Sequence, residues 1–264
     1  MDAALERFAG EYSRHRAAEG RGYSGRELFD LPYIMTGAFA SQWAVRARTF
    51  EAFMGRVLAP MARLQRPPLK LLDLGAGNGW LSHRVASTGH RAFALDIRDD
   101  SLDGLGAAAP FVRRYPDLIE CLVAPFDAIP LPSGSIDIAL FNASLHYATD
   151  LRAVLREAQR VTRPGGRIAI LDSPFYRRES DGMAMVAEKR NGADEQFGAR
   201  ASTLMALPFI EFLTRERLAQ ASPGLDWRRH RVRYPLGYEL RPLRAALLGK
   251  RPPSRFDLWV ADRP

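Results

Sequence analysis

Three glycines and an acidic residue lie close together at residues 73 to 79, which read DLGAGNG. Because glycine reaches positive φ without steric cost, Gly75, Gly77 and Gly79 predict a tight turn that leads into a helix. The first N–H groups of a helix have no partner inside it, so such a turn favours a carboxylate or phosphate ligand. This segment is therefore the first candidate for a cofactor cradle.

The spacing of the glycines separates the cofactor classes that use such a turn. A dinucleotide site needs a small residue at the last position of G-x-G-x-x-G or G-x-G-x-x-A. Counting from Gly75, that position holds Trp80, whose bulky indole disfavours a nicotinamide or flavin cofactor. The GK[ST] ending of a P-loop is also absent. The remaining pattern is D-x-G-x-G-x-G, with Asp73 two residues before Gly75.

This pattern resembles motif I of the class I S-adenosylmethionine-dependent methyltransferases. Three later blocks extend the resemblance, and their order is similar to that of the small-molecule group that includes the ubiquinone and menaquinone biosynthesis C-methyltransferases. The blocks are RAFALDI at 91–97, APFDAIPLPSGSIDIALFNASLHY at 124–147 and RVTRPGGRIAILDSP at 160–174. The resemblance implies S-adenosylmethionine as cofactor, S-adenosylhomocysteine as product and a small-molecule methyl acceptor.

Asp96 is the candidate for binding the cofactor's ribose. It closes a predicted strand, and one carboxylate there can accept hydrogen bonds from both ribose hydroxyls. An exposed aspartate at a strand end is the alternative reading. The resemblance implies that Asp127 meets the adenine amino group. The other predicted cofactor-binding residues are Tyr12, Asp73, Gly75, Ala76, Gly77, Ile97, Phe126 and Asn142.

His146 is the candidate catalytic base. Methyl transfer is an in-line displacement, so the protein must align the acceptor, exclude water and remove a proton where needed. His146 follows Asn142 by four residues, in a loop that should face the transferred methyl group. A histidine that only shapes the site is the alternative, and His15, Tyr12, Tyr23 and Tyr33 are further candidates to reach in.

No metal site is predicted from the sequence. The histidines are scattered along the chain, which has five of them. Asn142 also stands where metal-dependent catechol-type enzymes need an acid, so the expected metal ligands are missing.

The spacing of apolar segments predicts the elements that position these residues. Strands are expected at 71–74, at 91–97 and up to Asn142, with helices at about 78–88 and from Asp150 to Pro164. Alternating strands and helices predict a mostly parallel sheet with ligands at the carboxyl ends of its strands. The resemblance implies an α/β, Rossmann-like, seven-stranded sheet with an antiparallel last strand. A helix is expected at 201–220, and the closing strands at 225–235 and 254–261.

Two segments flank or interrupt the predicted core. Residues 1–66 are expected to form a helical lid that ends at Pro67–Pro68, and residues 67–264 to form the cofactor-binding core. The aromatic residues of the lid could instead merely anchor a helix. The segment 174–200 is the predicted substrate insertion. Its candidate pocket residues, which could equally be ordinary packing, are Tyr176, Met183, Met185, Glu188 and Phe197.

Composition sets further expectations. The start, MDAALERFAG, has no apolar signal-peptide core and no run is long enough to span a membrane, so a cytoplasmic protein without integral membrane contact is expected. The single Cys121 excludes an internal disulfide, and a buried thiol is expected there.

Positive charge is concentrated near the end of the chain. Residues 225–264 hold ten Arg or Lys against four Asp or Glu. This excess could attract an acidic substrate, RNA or an anionic membrane, or it could protect an edge strand from pairing with other chains.

Three functions stay open at this point. The leading one is a small-molecule methyltransferase. An RNA or protein methyltransferase is the second, although NASL at 142–145 lacks the N-P-P-Y type signature of adenine-N6 and glutamine methylases. A non-catalytic protein that binds S-adenosylmethionine is the third.

Overall fold

The computed structural model describes residues 3–64 and 68–264. Pro67, at the predicted boundary between lid and core, lies outside the described residues. Seven strands form one sheet in the order β3-β2-β1-β4-β5-β7-β6. They are β1 (Lys70–Leu74), β2 (Arg91–Asp96), β3 (Ile119–Val123), β4 (Ile136–Asn142), β5 (Thr162–Leu171), β6 (Arg228–His230) and β7 (Leu258–Asp262).

The strand directions confirm the predicted α/β, Rossmann-like architecture. Strands β1 to β5 pair in parallel, and β7 lies antiparallel between β5 and β6. The strand order reverses at β1, which pairs with both β2 and β4. A crevice forms outside the carboxyl ends of parallel strands at such a point, and ligands bind there.

The helices cover both faces of the sheet. A π-helical turn at Met54–Leu58 joins α3 to α4, so these form one continuous rod. The helices are α1 (Ala3–Ala18), α2 (Gly25–Asp30), α3 (Ala40–Phe53), α4 (Ala59–Leu64), α5 (Trp80–Ala86), α6 (Ala109–Arg114), α7 (Leu151–Val161), α8 (Glu179–Asn191), α9 (Ala193–Phe197), α10 (Ala201–Leu204), α11 (Arg215–Ala221), α12 (Leu236–Glu239) and α13 (Arg241–Leu247).

Helix α7 shows how local sequence positions the site. Asp150 caps it, because its carboxylate accepts a hydrogen bond of 3.0 Å from the N–H of Ala153. The helix ends at Val161, three residues before Pro164, where the sequence predicted its end. It stops early because Thr162 already pairs with Ile136 of β4, which recruits the Pro-Gly-Gly segment into β5.

Three other expectations were wrong. The predicted helix at 201–220 is broken between α10 and α11, because residues around Leu213 run extended and bridge to Phe175. The predicted strand at 225–235 is reduced to β6. Cys121 is exposed, because β3 is an edge strand with one open side.

The hydrophobic core is divided by the sheet. One cluster joins Phe53 of α3 to Leu71 of β1 and Leu81 of α5, so the N-terminal helices share a core with the sheet. The other cluster packs α7 and α11 against the opposite face. None of the helices in the described ranges is long and apolar enough to cross a membrane.

Candidate functional site

A cavity of about 410 Å³ opens at the carboxyl ends of β1, β2, β4 and β5, with α1 and α3 on its other side. This volume is within the usual range for small-molecule sites. Ten residues predicted from the sequence line it: Tyr12, Gly75, Ala76, Gly77, Asp96, Ile97, Phe126, Asp127, Asn142 and His146.

The glycine turn forms the floor of the cavity. Gly75, Gly77 and Gly79 have φ of 79°, 52° and 73°, which is the left-handed region. A Cβ on Gly75 would lie 2.3 Å from the Cβ of Ser144. The turn therefore requires glycine both for its backbone conformation and for its close packing against the loop after β4.

Asp96 is tied to this turn. Its Oδ2 accepts a hydrogen bond of 2.8 Å from the N–H of Gly77, and its Oδ1 accepts one of 3.0 Å from the N–H of Arg98. The N–H of Gly77 is thus already paired and not free for an anion, contrary to the expectation of unpaired donors. Burial raises the pKa of the Asp96 carboxyl above its ordinary value, although Arg98 opposes that shift.

Helix α1 closes the cavity from above. The hydroxyl groups of Tyr12 and Tyr147 are 2.9 Å apart, and Arg16 donates to Asp103 at 2.7 Å. Ser13 also donates to Asp100 at 2.8 Å, in the loop after β2. These contacts hold α1 against the loops that follow β2 and β4.

A second charged group lies at the end of β5. Asp172 lines the cavity, is 7% exposed and has a φ of 50°, which is unfavourable for a residue other than glycine. The hydroxyl of Thr49 on α3 lies 2.8 Å and 2.9 Å from its two oxygens. Burial raises the pKa of the Asp172 carboxyl, while Arg46 and the Thr49 hydrogen bond lower it.

Arg46 also lines the cavity and carries an unpaired charge. Among the described residues, its guanidinium makes no hydrogen bond or ion pair, and it lies 4.9 Å from the centre of the Trp43 ring. Burial lowers its pKa, and Asp172 is the main group that opposes this shift. The cavity therefore contains a cation and an anion that do not contact each other.

His146 lines the cavity but is a weak base. Burial lowers the pKa of its imidazole to about 3, with further contributions from Lys189 and Arg46. Its Nδ1 is buried without a hydrogen-bond partner in the described part of the chain. The side chain is therefore neutral at pH 7 and accepts a proton less readily than an ordinary histidine.

Comparisons with known proteins agree with this geometry. Residues 72–170 match the family described as the methyltransferase domain. The malonyl-[acyl-carrier protein] O-methyltransferase of Halorhodospira halophila is 33% identical over 115 residues, which are 43% of this chain and 38% of that protein. The enzyme of the same name from Yersinia pestis is 37% identical over 98 residues, which are 37% of this chain and 34% of that protein.

The match at the level of structure covers more of the chain. A geranyl diphosphate methyltransferase, solved with geranyl diphosphate and sinefungin, aligns with a TM-score of 0.57 and 16% identity over 100% of this chain and 99% of that one. The family match therefore concerns residues 72–170, and the likeness to the solved structure concerns the fold. The chain aligns with only 38% and 34% of the length of the two curated relatives, so they describe the domain and not the whole protein.

One residue predicted to bind the cofactor does not line the cavity. Asp73 is fully buried behind the glycine turn, where its Oδ2 accepts a hydrogen bond of 2.9 Å from Ser82. Its Oδ1 has no partner among the described atoms, and burial raises the pKa of the carboxyl to about 7. Asp73 therefore supports the turn from below.

The substrate insertion contributes less to the cavity than expected. Of residues 174–200, only Pro174 lines it; Tyr176, Met183, Met185, Glu188 and Phe197 do not. His15, Tyr23 and Tyr33, which were predicted to reach in, are also elsewhere. Tyr23, for example, accepts a hydrogen bond of 2.6 Å from Trp43.

Sequence reasoning missed several residues that the fold brings together at the cavity. Arg46, Asp103 and Asp172 line the cavity from separate segments and belong to no short motif. The one available signal was the position of Asp172, directly after β5, which is where parallel strands present functional residues. The described residues contain no group of His, Cys, Asp or Glu that could hold a metal ion.

Proposed function

We propose that the protein is an S-adenosylmethionine-dependent methyltransferase that acts on a small-molecule acceptor. The observation that carries the proposal is the glycine turn, tied to the buried carboxylate of Asp96, on the floor of the cavity. A small cavity roofed by α1 suits a small acceptor better than a polymer.

The residues fit the cofactor at both of its ends. Gly75 and Gly77 leave room for the methionine part, because neither carries a side chain on the floor of the cavity. Asp96 would accept from the ribose hydroxyls, and Ile97 and Phe126 would enclose the adenine beside Asp127. Tyr12 and Asn142 would complete the site from α1 and β4. When bound, the cofactor supplies an electrophilic methyl group.

The chain itself must orient the acceptor and receive its proton. We assign the proton to Asp172, since its carboxylate is buried, lines the cavity and, among the described residues, has only the Thr49 hydroxyl as a hydrogen-bond donor. The Asp172 carboxylate would take up the proton that the nucleophilic atom of the acceptor loses on methylation. His146 would then serve as a neutral wall of the site.

Arg46 would orient the acceptor. An unpaired guanidinium on the cavity wall gains a charge-assisted hydrogen bond when a carboxylate or phosphate enters. The relatives named above act on malonyl-acyl-carrier protein or geranyl diphosphate, which are both anionic, and this supports an anionic acceptor here.

Calorimetry with S-adenosylhomocysteine tests the proposal. We expect the wild-type protein to bind it, and Asp96→Ala to weaken binding by about 2 to 3 kcal/mol, the usual value for a charged acceptor. Asp117→Ala, at an exposed aspartate in the turn before β3 and away from the cavity, is the control. Absence of binding, or tighter binding of NAD, would overturn the proposal. Transfer of a radiolabelled methyl group to a small-molecule panel, beside total RNA, then identifies the acceptor class.

A further inference from the structure

The segment between β6 and β7 exposes a row of leucines. Helices α12 and α13 follow each other with only Leu240 between them, and Leu236, Leu240, Leu243 and Leu247 recur at helical spacing. Their side chains are 79%, 53%, 59% and 80% exposed. Positions three, four, seven and eleven apart fall on one face of a helix. We call these four residues the leucine stripe.

The stripe is part of a strongly basic segment. Residues 231–251 contain six Arg or Lys and one Glu, a net charge of +5. Arg231 pairs with Glu239, and Arg251 pairs with Glu188. The side chains of Arg233, Arg244 and Lys250 make no hydrogen bond or ion pair with any described residue, so their charges remain available.

The opposite face of the segment is fixed to the protein. Tyr238 packs against the core and accepts a hydrogen bond of 3.3 Å from the N–H of Phe256. Arg241 donates to the carbonyl oxygen of Ser254 at 2.6 Å and stacks on the Tyr238 ring at 3.8 Å. The stripe therefore faces outward because the inner face is held by these contacts.

We propose that the leucine stripe lies in the surface layer of an anionic lipid membrane. Apolar side chains on one face with lysine and arginine beside them are the pattern of a helix that lies flat in a membrane interface. Anionic headgroups attract the unpaired cations while the acyl region covers the leucines. A second copy of this chain would bring two sets of positive charges together, which disfavours self-association through this face.

The helices that carry the leucine stripe lie beside the candidate active site. Tyr238 contacts Phe256, and Phe256 lines the cavity. Binding through the stripe would therefore hold that wall of the cavity close to the lipid. The proposal does not depend on the reaction, because it rests on the exposed residues alone.

Vesicle flotation with the full-length protein tests this proposal. We expect it to float with vesicles of phosphatidylglycerol and phosphatidylcholine in equal parts, and to remain at the bottom with phosphatidylcholine alone. Leu243→Ser with Leu247→Ser should lower the partition coefficient at least about tenfold, because two leucines that would be buried in the membrane interface are lost. Met35→Ser with Leu64→Ser, which are both 82% exposed, is the matched control and should change nothing.

A charge variant separates the electrostatic part. Arg244→Gln with Lys250→Gln should weaken binding, whereas Arg113→Gln with Arg215→Gln, two exposed arginines elsewhere, should not. Unchanged S-adenosylhomocysteine affinity and melting temperature would show that every variant is folded and that cofactor binding does not depend on membrane binding. The proposal is overturned if the wild-type protein does not float. It is also overturned if Met35→Ser with Leu64→Ser lowers flotation as much as Leu243→Ser with Leu247→Ser does. A concentration-dependent dimer that Leu243→Ser with Leu247→Ser abolishes would identify a second copy as the occupant, also overturning it.

Discussion

Asp172 and Asp96 are both buried carboxylates at strand ends, but their surroundings give them different roles. Asp96 receives two backbone N–H groups and holds the glycine turn. Within the described part of the chain, Asp172 receives only the hydroxyl of Thr49, and the nearby guanidinium of Arg46 has no ion-pair partner. A carboxylate with few donors and a raised pKa is better suited to accept a proton than one with several donors.

The role of Asp172 predicts a change in the pH profile. Because the ionised carboxylate is the active form, the rate of transfer should rise with pH through its raised pKa. Asp172→Asn should remove this dependence and lower kcat by about 10² or more, with little change in S-adenosylhomocysteine affinity. His146→Gln is the comparison. If His146→Gln lowers kcat more than Asp172→Asn does, the assignment of the proton to Asp172 is wrong.

Asp73 makes stability depend on pH in a direction set by its raised pKa. Its folded pKa is about 7, above the ordinary value of 3.8, so its contribution is fully present below 3.8 and is lost as pH rises through 7. We expect Asp73→Asn to change the free energy of unfolding, relative to the wild type, more favourably at pH 8 than at pH 4. The difference between these two changes should be at most about 4 kcal/mol.

Chemical denaturation at both pH values measures this difference. Asp226→Asn, an exposed aspartate, is the control and should show no such change. A loss of stability in Asp73→Asn that is equal at pH 4 and pH 8 would mean that the hydrogen bond from Ser82 dominates and not the burial of charge.

At the scale of elements, α1 is the roof of the cavity. It is held by polar contacts at Tyr12, Ser13 and Arg16, and its buried side chains are limited to Phe8 and Ala9. Few buried apolar contacts mean a low cost of local opening. This supports the proposed lid, although the same contacts would also exist in a permanently packed helix.

Hydrogen exchange distinguishes a lid from a permanent roof. We expect residues 3–30 to exchange readily in the free protein and to become protected when S-adenosylhomocysteine binds, because the ligand fills the space beneath α1. Helix α11, none of whose residues lines the cavity, serves as the internal reference. Equal protection of residues 3–30 with and without ligand would show that α1 is structural packing.

At the scale of the molecule, the N-terminal helices and the sheet share a core. Phe53 of α3 is fully buried against Leu71 and Leu81, on the other side of the predicted boundary at residue 66. Two segments that share buried side chains lose them together on unfolding. The proposed division into lid and core therefore applies to α1 and not to α3.

A single unfolding transition is the expected consequence. Phe53→Ala should cost about 3 to 5 kcal/mol and lower the melting temperature of the whole molecule, because it leaves a cavity in the shared core. Met35→Ala, on an exposed residue of the same region, is the control. Calorimetry that resolves two transitions, of which Phe53→Ala shifts only one, would show that the N-terminal helices fold as a separate unit.

Features that depend on local backbone chemistry were predictable from the sequence. The turn at Gly75 and Gly77 needs positive φ, the helix after Asp150 needs a cap, and parallel strands need apolar runs. These requirements are met by residues a few positions apart, so a short segment of sequence is enough to predict each feature. The residues at the ends of β1, β2 and β4 that line the cavity were predictable for the same reason.

The distant groups that share the cavity were not predictable from the sequence, because folding alone brings them together. Arg46 comes from α3 and Asp172 from the end of β5, and neither carries a local signal of its partner. The break between α10 and α11 has the same cause, because the pairing of Leu213 with Phe175 outweighs helix propensity. The position of Asp73 was also hidden: its spacing matched the family motif, but the pleat of β1 turns its side chain into the core.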